Sequence, residues 1–164
     1  MGIVKILDSG SLETICKILG ETNDGLSGSE IAKYLAECHI NDAQPNITKW
    51  KRLYEALSSK QNADCCSNNI LAFIKYVMRP SRHITRKEWF EHIRTELNFA
   101  LSFEGFELTE SGEIKHAEKV QTFSEAEARA LNLRKVLLDR KIHSDVLTFC
   151  KAELLVDNYF HAVF

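Results

Sequence analysis

Residues 27–57 read SGSEIAKYLAECHINDAQPNITKWKRLYEAL, and the way this stretch folds decides the architecture. Ser27-Gly28-Ser29-Glu30 is a capping box: the Ser27 hydroxyl accepts from the backbone at Glu30 while the Glu30 carboxylate reaches back. It opens a helix to about Cys38, with Ile31, Leu35 and Cys38 on one face and Tyr34 alongside. Asn41 to Pro45 is a turn, and Thr48 starts a further helix. Its apolar stripe is Ile47, Trp50, Leu53, Tyr54 and Leu57, and Lys49, Lys51 and Arg52 face elsewhere. Two helices in this order, the second carrying cations, form a unit like a helix-turn-helix. Its connector of about eight residues is longer than the three or four of the tight motif.

The same periodicity continues on both sides. Leu12, Ile15, Cys16, Ile18 and Leu19 predict a helix over 11–19 with Gly20 as its stop, followed by a turn at Asn23-Asp24-Gly25. Another helix is expected over 68–78, ended by Pro80. Thr85-Arg86-Lys87-Glu88 reads as a second capping box, opening a long helix with Trp89, Phe90, Ile93, Leu97 and Leu101 inward. Phe106, Leu108 and Ile114 then alternate with polar residues around Glu110-Ser111-Gly112, which predicts a hairpin able to serve as a wing. Ser124-Glu125-Ala126-Glu127 is a third capping box for a helix to about Asp139, and an apolar helix follows from about Ser144 to Phe164. The expected fold is therefore mainly α: a helical domain over 1–120 with a helix-turn-helix-like start and a small β-hairpin, then two helices over 121–164.

With 45% apolar and 27% charged residues in 164, the composition is that of an ordinary globular chain and excludes wholesale disorder. Five cysteines, two of them adjacent and none in a Cys-x-x-Cys pattern, argue against a disulfide framework or a structural zinc site. No stretch suggests a membrane span, and the start of the chain is too poor in cations and apolar residues for a secretory leader. A cytoplasmic protein with reduced thiols is expected, with no metal and no cofactor.

The net charge of −2 conceals segregation: residues 1–45 carry −4, 46–94 carry +6, 95–128 carry −6 and 129–164 carry +2. The basic island supplies Lys49, Lys51, Arg52, Arg79, Arg82, Arg86 and Lys87 as candidate contacts to RNA or DNA, since clustered cations attract phosphate. The alternative is a solvated face whose cations pair with the acidic segments on either side. Arg86 and His92 match the spacing of a guanidinium and an imidazole in one class of metal-independent ribonuclease, although chance alone supplies about one such pair in a chain of this make-up. No Gly-rich phosphate loop, nucleophile elbow or metal-ligand cluster is present in the sequence.

The apolar helix from Ser144 ends in Asn158-Tyr159-Phe160-His161-Ala162-Val163-Phe164, without a polar cap. Tyr159, Phe160, Val163 and Phe164 are the candidate interface, expected to pack on further chain beyond 164 or on a second copy. Residues 25–31 and 48–57 resemble the amino-terminal domain of bacterial abortive-infection proteins of the AbiJ type. Residues 143–150 and 158–164 are similar to the first helix of the Ymh-like domain of the HEPN superfamily. The resemblance implies a phage-defence or toxin-like protein whose carboxy-terminal helical domain cuts RNA. The catalytic Arg and His of such families come from a motif well after this first helix, so none of them falls on a residue of this sequence. A sensing or binding portion is the expectation, beside two others: a helix-turn-helix regulator binding nucleic acid, and an interaction module docking through its last helix.

Overall fold

The computed structural model describes residues 2–129. Five α-helices and a two-stranded antiparallel hairpin follow in the order α1 (Ser9–Leu19), α2 (Gly28–Glu37), α3 (Lys49–Asp64), α4 (Asn68–Val77), α5 (Lys87–Ser102), β1 (Phe106–Leu108) and β2 (Ile114–His116). A 3₁₀ turn, Pro80–Arg82, joins α4 to α5. A further helix begins at residue 123. The expected mainly α fold with a small hairpin is what the chain adopts. The second of the two expected last helices, and with it Tyr159, Phe160, Val163 and Phe164, lies outside the described residues.

The helices meet in one core, although Ile18, Cys38, Ile47, Trp50, Tyr54 and Trp89 of the expected stripes are only half-buried. Leu12, Ile15 and Leu19 of α1, Ile31 and Leu35 of α2, Leu53 and Leu57 of α3, Ile70, Phe73 and Ile74 of α4, and Leu97 and Leu101 of α5 are completely covered. Ahead of α1, an extended segment buries Val4 and Leu7 and is tied down by side chains from a distance. The Val4 amide donates to Asn68 Oδ1 and the Leu7 amide to Ser67 Oγ, both at 2.8 Å, and Ser67 Oγ in turn donates to Gln61. The buried polar groups at the α3–α4 corner thus substitute for the strand partner that this segment lacks.

The helix starts correct the sequence reading in three places. The first capping box is present, with Ser27 and Glu30 in the expected roles. Helix α1 starts two residues earlier than expected because the Asp8 carboxylate accepts from the amides of Gly10 and Ser11. The Thr85 capping box does not form: the N-cap of α5 is Arg86, whose amide is taken by the His83 carbonyl at 2.9 Å, so the chain is still in a turn at Thr85. The third box is shifted from Ser124 to Thr122, whose hydroxyl accepts from the Glu125 amide at 3.3 Å while the Glu125 carboxylate accepts from Gln121 and Thr122.

The hairpin forms with Phe106 opposite His116, Glu107 opposite Lys115 and Leu108 opposite Ile114. Asn98 of α5 holds it, accepting from the Leu108 amide at 2.7 Å and donating to its carbonyl at 2.9 Å. Gly112 turns the loop with φ +78° and is buried against the end of α4, where a Cβ would overlap the Met78 carbonyl oxygen. Lys75 and Glu113 form an ion pair at 2.6 Å across the same contact. The turn therefore buttresses the α4–α5 connection, whereas a wing would project from the body.

Candidate nucleic-acid interface

The site is built on the segment between α4 and α5. Pro80 stops the α-helical ladder, and the chain then makes tight turns in which the amides of Arg82, His83 and Arg86 reach the carbonyls of Arg79, Pro80 and His83 at 2.9–3.0 Å. Three arginines emerge from this short run, and each meets an aromatic ring. Arg79 and Arg82 both sit over Tyr76, at 5.0 and 3.8 Å from its centroid. Arg82 also lies 5.4 Å from the centroid of Tyr34, which meets Tyr76 edge-on. Arg86 lies 4.7 Å over Trp89. A guanidinium sheds water more easily than an ammonium and gains from a ring face, so these contacts hold the cations in place without neutralising them.

Two carboxylates border the three cations. Glu30 bonds Arg86 at 2.7 Å as well as completing its capping box. Partial burial works against its ionisation, but the hydrogen bonds from Ser27 and the charge of Arg86 hold its carboxyl below the ordinary value. Glu37 accepts from the Tyr76 hydroxyl and stands 3.8 Å from Arg82. The Arg82 Nε is buried and has no hydrogen-bond partner among the described residues.

His83 lies beneath this surface at 2% exposure. Its ring is 4.7 Å from Trp89 and 5.9 Å from Phe90. Nε2 is 2.7 Å from the Val77 carbonyl, and since a carbonyl only accepts, the ring proton sits on Nε2. Nδ1 is then a buried lone pair, and it has no partner among the described residues. Burial first, then the charges of Arg86 and Arg82, push the imidazole below its ordinary pKa, against the opposing pull of the Val77 carbonyl and Glu30.

The remaining candidates divide sharply. Arg52, expected to face away from the core, turns inward and is 6% exposed. Its Nε donates to both Asp42 oxygens at 3.0 and 3.1 Å, its Nη2 to Asp42 as well, and its Nη1 to the Gly28 carbonyl at 3.0 Å. It braces the α2–α3 connector. Lys49 donates to the Thr22 carbonyl at 3.2 Å. Lys51 is exposed beside Trp50, whose half-buried ring has Lys17 and Lys51 at 5.2 and 5.6 Å. Lys87 is exposed at the start of α5. Arg86 and His92 form no pair: Arg86 is given to Glu30 and Trp89, and His92 stands exposed on α5.

The loop between α1 and α2 connects the two groups of cations. Lys49 holds its Thr22 carbonyl and the Trp89 indole donates to its Asp24 carbonyl. Tyr34, Tyr76, Trp89 and His83 were not among the sequence candidates. The available signal was an aromatic residue three before Arg79 and another three after Arg86, the spacing of neighbours on a helix.

Among the described residues no cluster of three or more His, Cys, Asp or Glu side chains could hold a metal, and no helix is long and apolar enough to cross a membrane. Comparison with family models, with curated proteins and with solved structures returns no match. What the arrangement can do chemically follows from its contacts. Tyr76 carries two guanidiniums, and Trp89 carries Arg86 and His83, so a base seeking to stack there must displace a cation. The guanidinium N–H groups suit phosphate oxygens instead.

Proposed function

We propose that this chain is the sensing portion of a bacterial anti-phage protein of the AbiJ kind, acting in the cytoplasm and binding RNA by its phosphate backbone through Arg79, Arg82 and Arg86. On this reading the RNA-cutting chemistry belongs to a HEPN-like part outside the described residues, and the described residues supply recognition. The observation that carries the reading is the contrast among arginines in one basic island. Arg52 is bound by Asp42 and the Gly28 carbonyl, and Arg94 is buried with bonds to Glu91 at 3.0 and 3.2 Å. Arg79, Arg82 and Arg86 rest on aromatic rings nearer the surface, with Arg86 also paired to Glu30 at 2.7 Å and Arg82 standing 3.8 Å from Glu37. The Arg82 Nε is itself covered, so a phosphate oxygen would be met by the outer guanidinium nitrogens of these arginines.

The test is fluorescence anisotropy of the full chain with a labelled single-stranded RNA and, in parallel, duplex DNA. Arg79→Ala combined with Arg86→Ala should weaken RNA binding at least tenfold, about 1.4 kcal/mol. No binding of RNA, or binding indifferent to both substitutions, retires the proposal. Tighter binding of duplex DNA than of RNA moves the assignment to a helix-turn-helix regulator.

A further inference from the structure

Resting on that reading, we infer that His83 makes phosphate capture on the Arg79–Arg82–Arg86 face proton-linked: the imidazole is neutral when the face is empty and takes up a proton when a phosphate oxyanion settles against Arg82 and Arg86. The residue is a positioning residue beneath the surface and does not itself meet the ligand, because its Nδ1 is fully covered.

The geometry leaves the ring one choice of neutral form. Nε2–H is committed to the Val77 carbonyl at the end of α4, and Nδ1 faces no donor or acceptor among the described residues. A second proton would have to go on Nδ1. The groups that act on it are then Arg82 from the 3₁₀ turn and Arg86 from the N-cap of α5, which repel an imidazolium, and Glu30 from α2, which attracts one. The α5 residues packed against the ring, Trp89 and Phe90, are not titratable. With two cations against one carboxylate, and with little water to stabilise the charge, the empty site keeps His83 neutral.

An anion on Arg82 and Arg86 removes the charge part of that balance and leaves the effect of burial in place. Its charge offsets the two guanidiniums, so the protonated ring loses its repulsion and gains a counter-charge. By linkage, a ligand that favours the protonated form binds more tightly as pH falls through the imidazole range, by up to a factor of about ten per pH unit for one proton. RNA phosphodiesters carry one fixed negative charge across this range, so the ligand does not contribute the proton. The coupling also gives the face a preference: it favours anions over neutral or cationic ligands more strongly in mild acid.

The experiment measures affinity of the full chain for a fluorescein-labelled twelve-nucleotide single-stranded RNA at pH 5.5 and 7.5 at constant ionic strength, with His83→Gln alongside. Glutamine offers an amide N–H for the Val77 carbonyl but cannot titrate. The expected result is binding at least threefold tighter at pH 5.5 than at 7.5 for the natural chain. For H83Q the two pH values should agree within 1.5-fold, with the pH 7.5 affinity kept within twofold of the natural one. An H83Q chain that keeps the full pH ratio overturns the inference and assigns the ratio to another histidine. Should H83Q fail to fold, an NMR titration of the His83 ring in the natural chain decides: a midpoint raised by RNA supports the linkage, and an unmoved midpoint overturns it. Failure of this inference is distinguishable from failure of the functional reading, because RNA binding that depends on Arg79 and Arg86 without any pH ratio leaves the latter standing.

Discussion

Replacing Arg52 with alanine separates the structural arginine from those proposed to bind RNA. Arg52 is 6% exposed, and its guanidinium makes bonds to both Asp42 oxygens and to the Gly28 carbonyl, tying the connector to the start of α2 from the first turn of α3. Breaking a buried charge pair by removing one partner costs about 3–5 kcal/mol, because the remaining charge is stranded. Asp42 keeps 21% of its side chain in solvent and recovers part of its hydration, which lowers the expected loss to about 2–4 kcal/mol. At about 2–4 °C per kcal/mol for a chain of this size, the midpoint of thermal unfolding by circular dichroism should fall by about 5–15 °C. Removing both partners with Arg52→Met and Asp42→Leu should cost less than Arg52→Ala alone, because no charge is left unpaired. RNA affinity per folded molecule should stay within twofold. A midpoint lowered by less than 2 °C in Arg52→Ala, or a double variant worse than the single one, would refute the reasoning.

Other expectations follow from neighbouring contacts. Gly112→Ala puts a Cβ at φ +78° against the Met78 carbonyl and should cost about 2 kcal/mol or more in urea unfolding, loosening the α4–α5 connection as well. Asn98→Ala leaves the Leu108 amide without its buried partner and its carbonyl with only Arg94 Nη1 at 3.5 Å, and should cost about 1–3 kcal/mol, read from the same curves. Because folding lowers the His83 pKa, its neutral form stabilises the fold fully above the ordinary imidazole value of 6.5, and that stabilisation is lost as pH falls below it. Without ligand, the stability of the natural chain between pH 7.5 and 5 should therefore fall more than that of H83Q. The Cys16 thiol, pushed up by burial and by nearby Glu13, should resist alkylation in the native protein while exposed Cys65 reacts, as mass spectrometry of partially modified chain would show.

The helices and the hairpin were legible because their signals are local. The stripe of Leu12, Ile15 and Leu19 and the alternation of Phe106 and Leu108 each need only a few consecutive residues. Helix starts were less legible: Asp8 and Thr122 won their places through their own side-chain caps, and Arg86 through the turn that precedes it. The fate of individual cations was not legible at all. Nothing adjacent to Arg52 marks it as buried: its partners are Asp42, ten residues earlier, and Gly28, twenty-four earlier, brought together only when α2 and α3 pack. The same limit hid His83, whose environment is assembled from the end of α4, the 3₁₀ turn and the first turns of α5. Charge along the chain located the basic island, and packing then decided which of its members remained available.

The most direct test of the account is the salt dependence of RNA binding by the full chain, compared with a variant carrying Arg79→Ala, Arg82→Ala and Arg86→Ala. Each phosphate neutralised contributes about 0.7 to the slope of log affinity against log salt for a single strand, so losing one phosphate held by Arg79 and one shared by Arg82 and Arg86 should flatten the slope by about 1.4. A variant that stays folded yet keeps the natural slope would contradict the claim that these three arginines hold the RNA backbone.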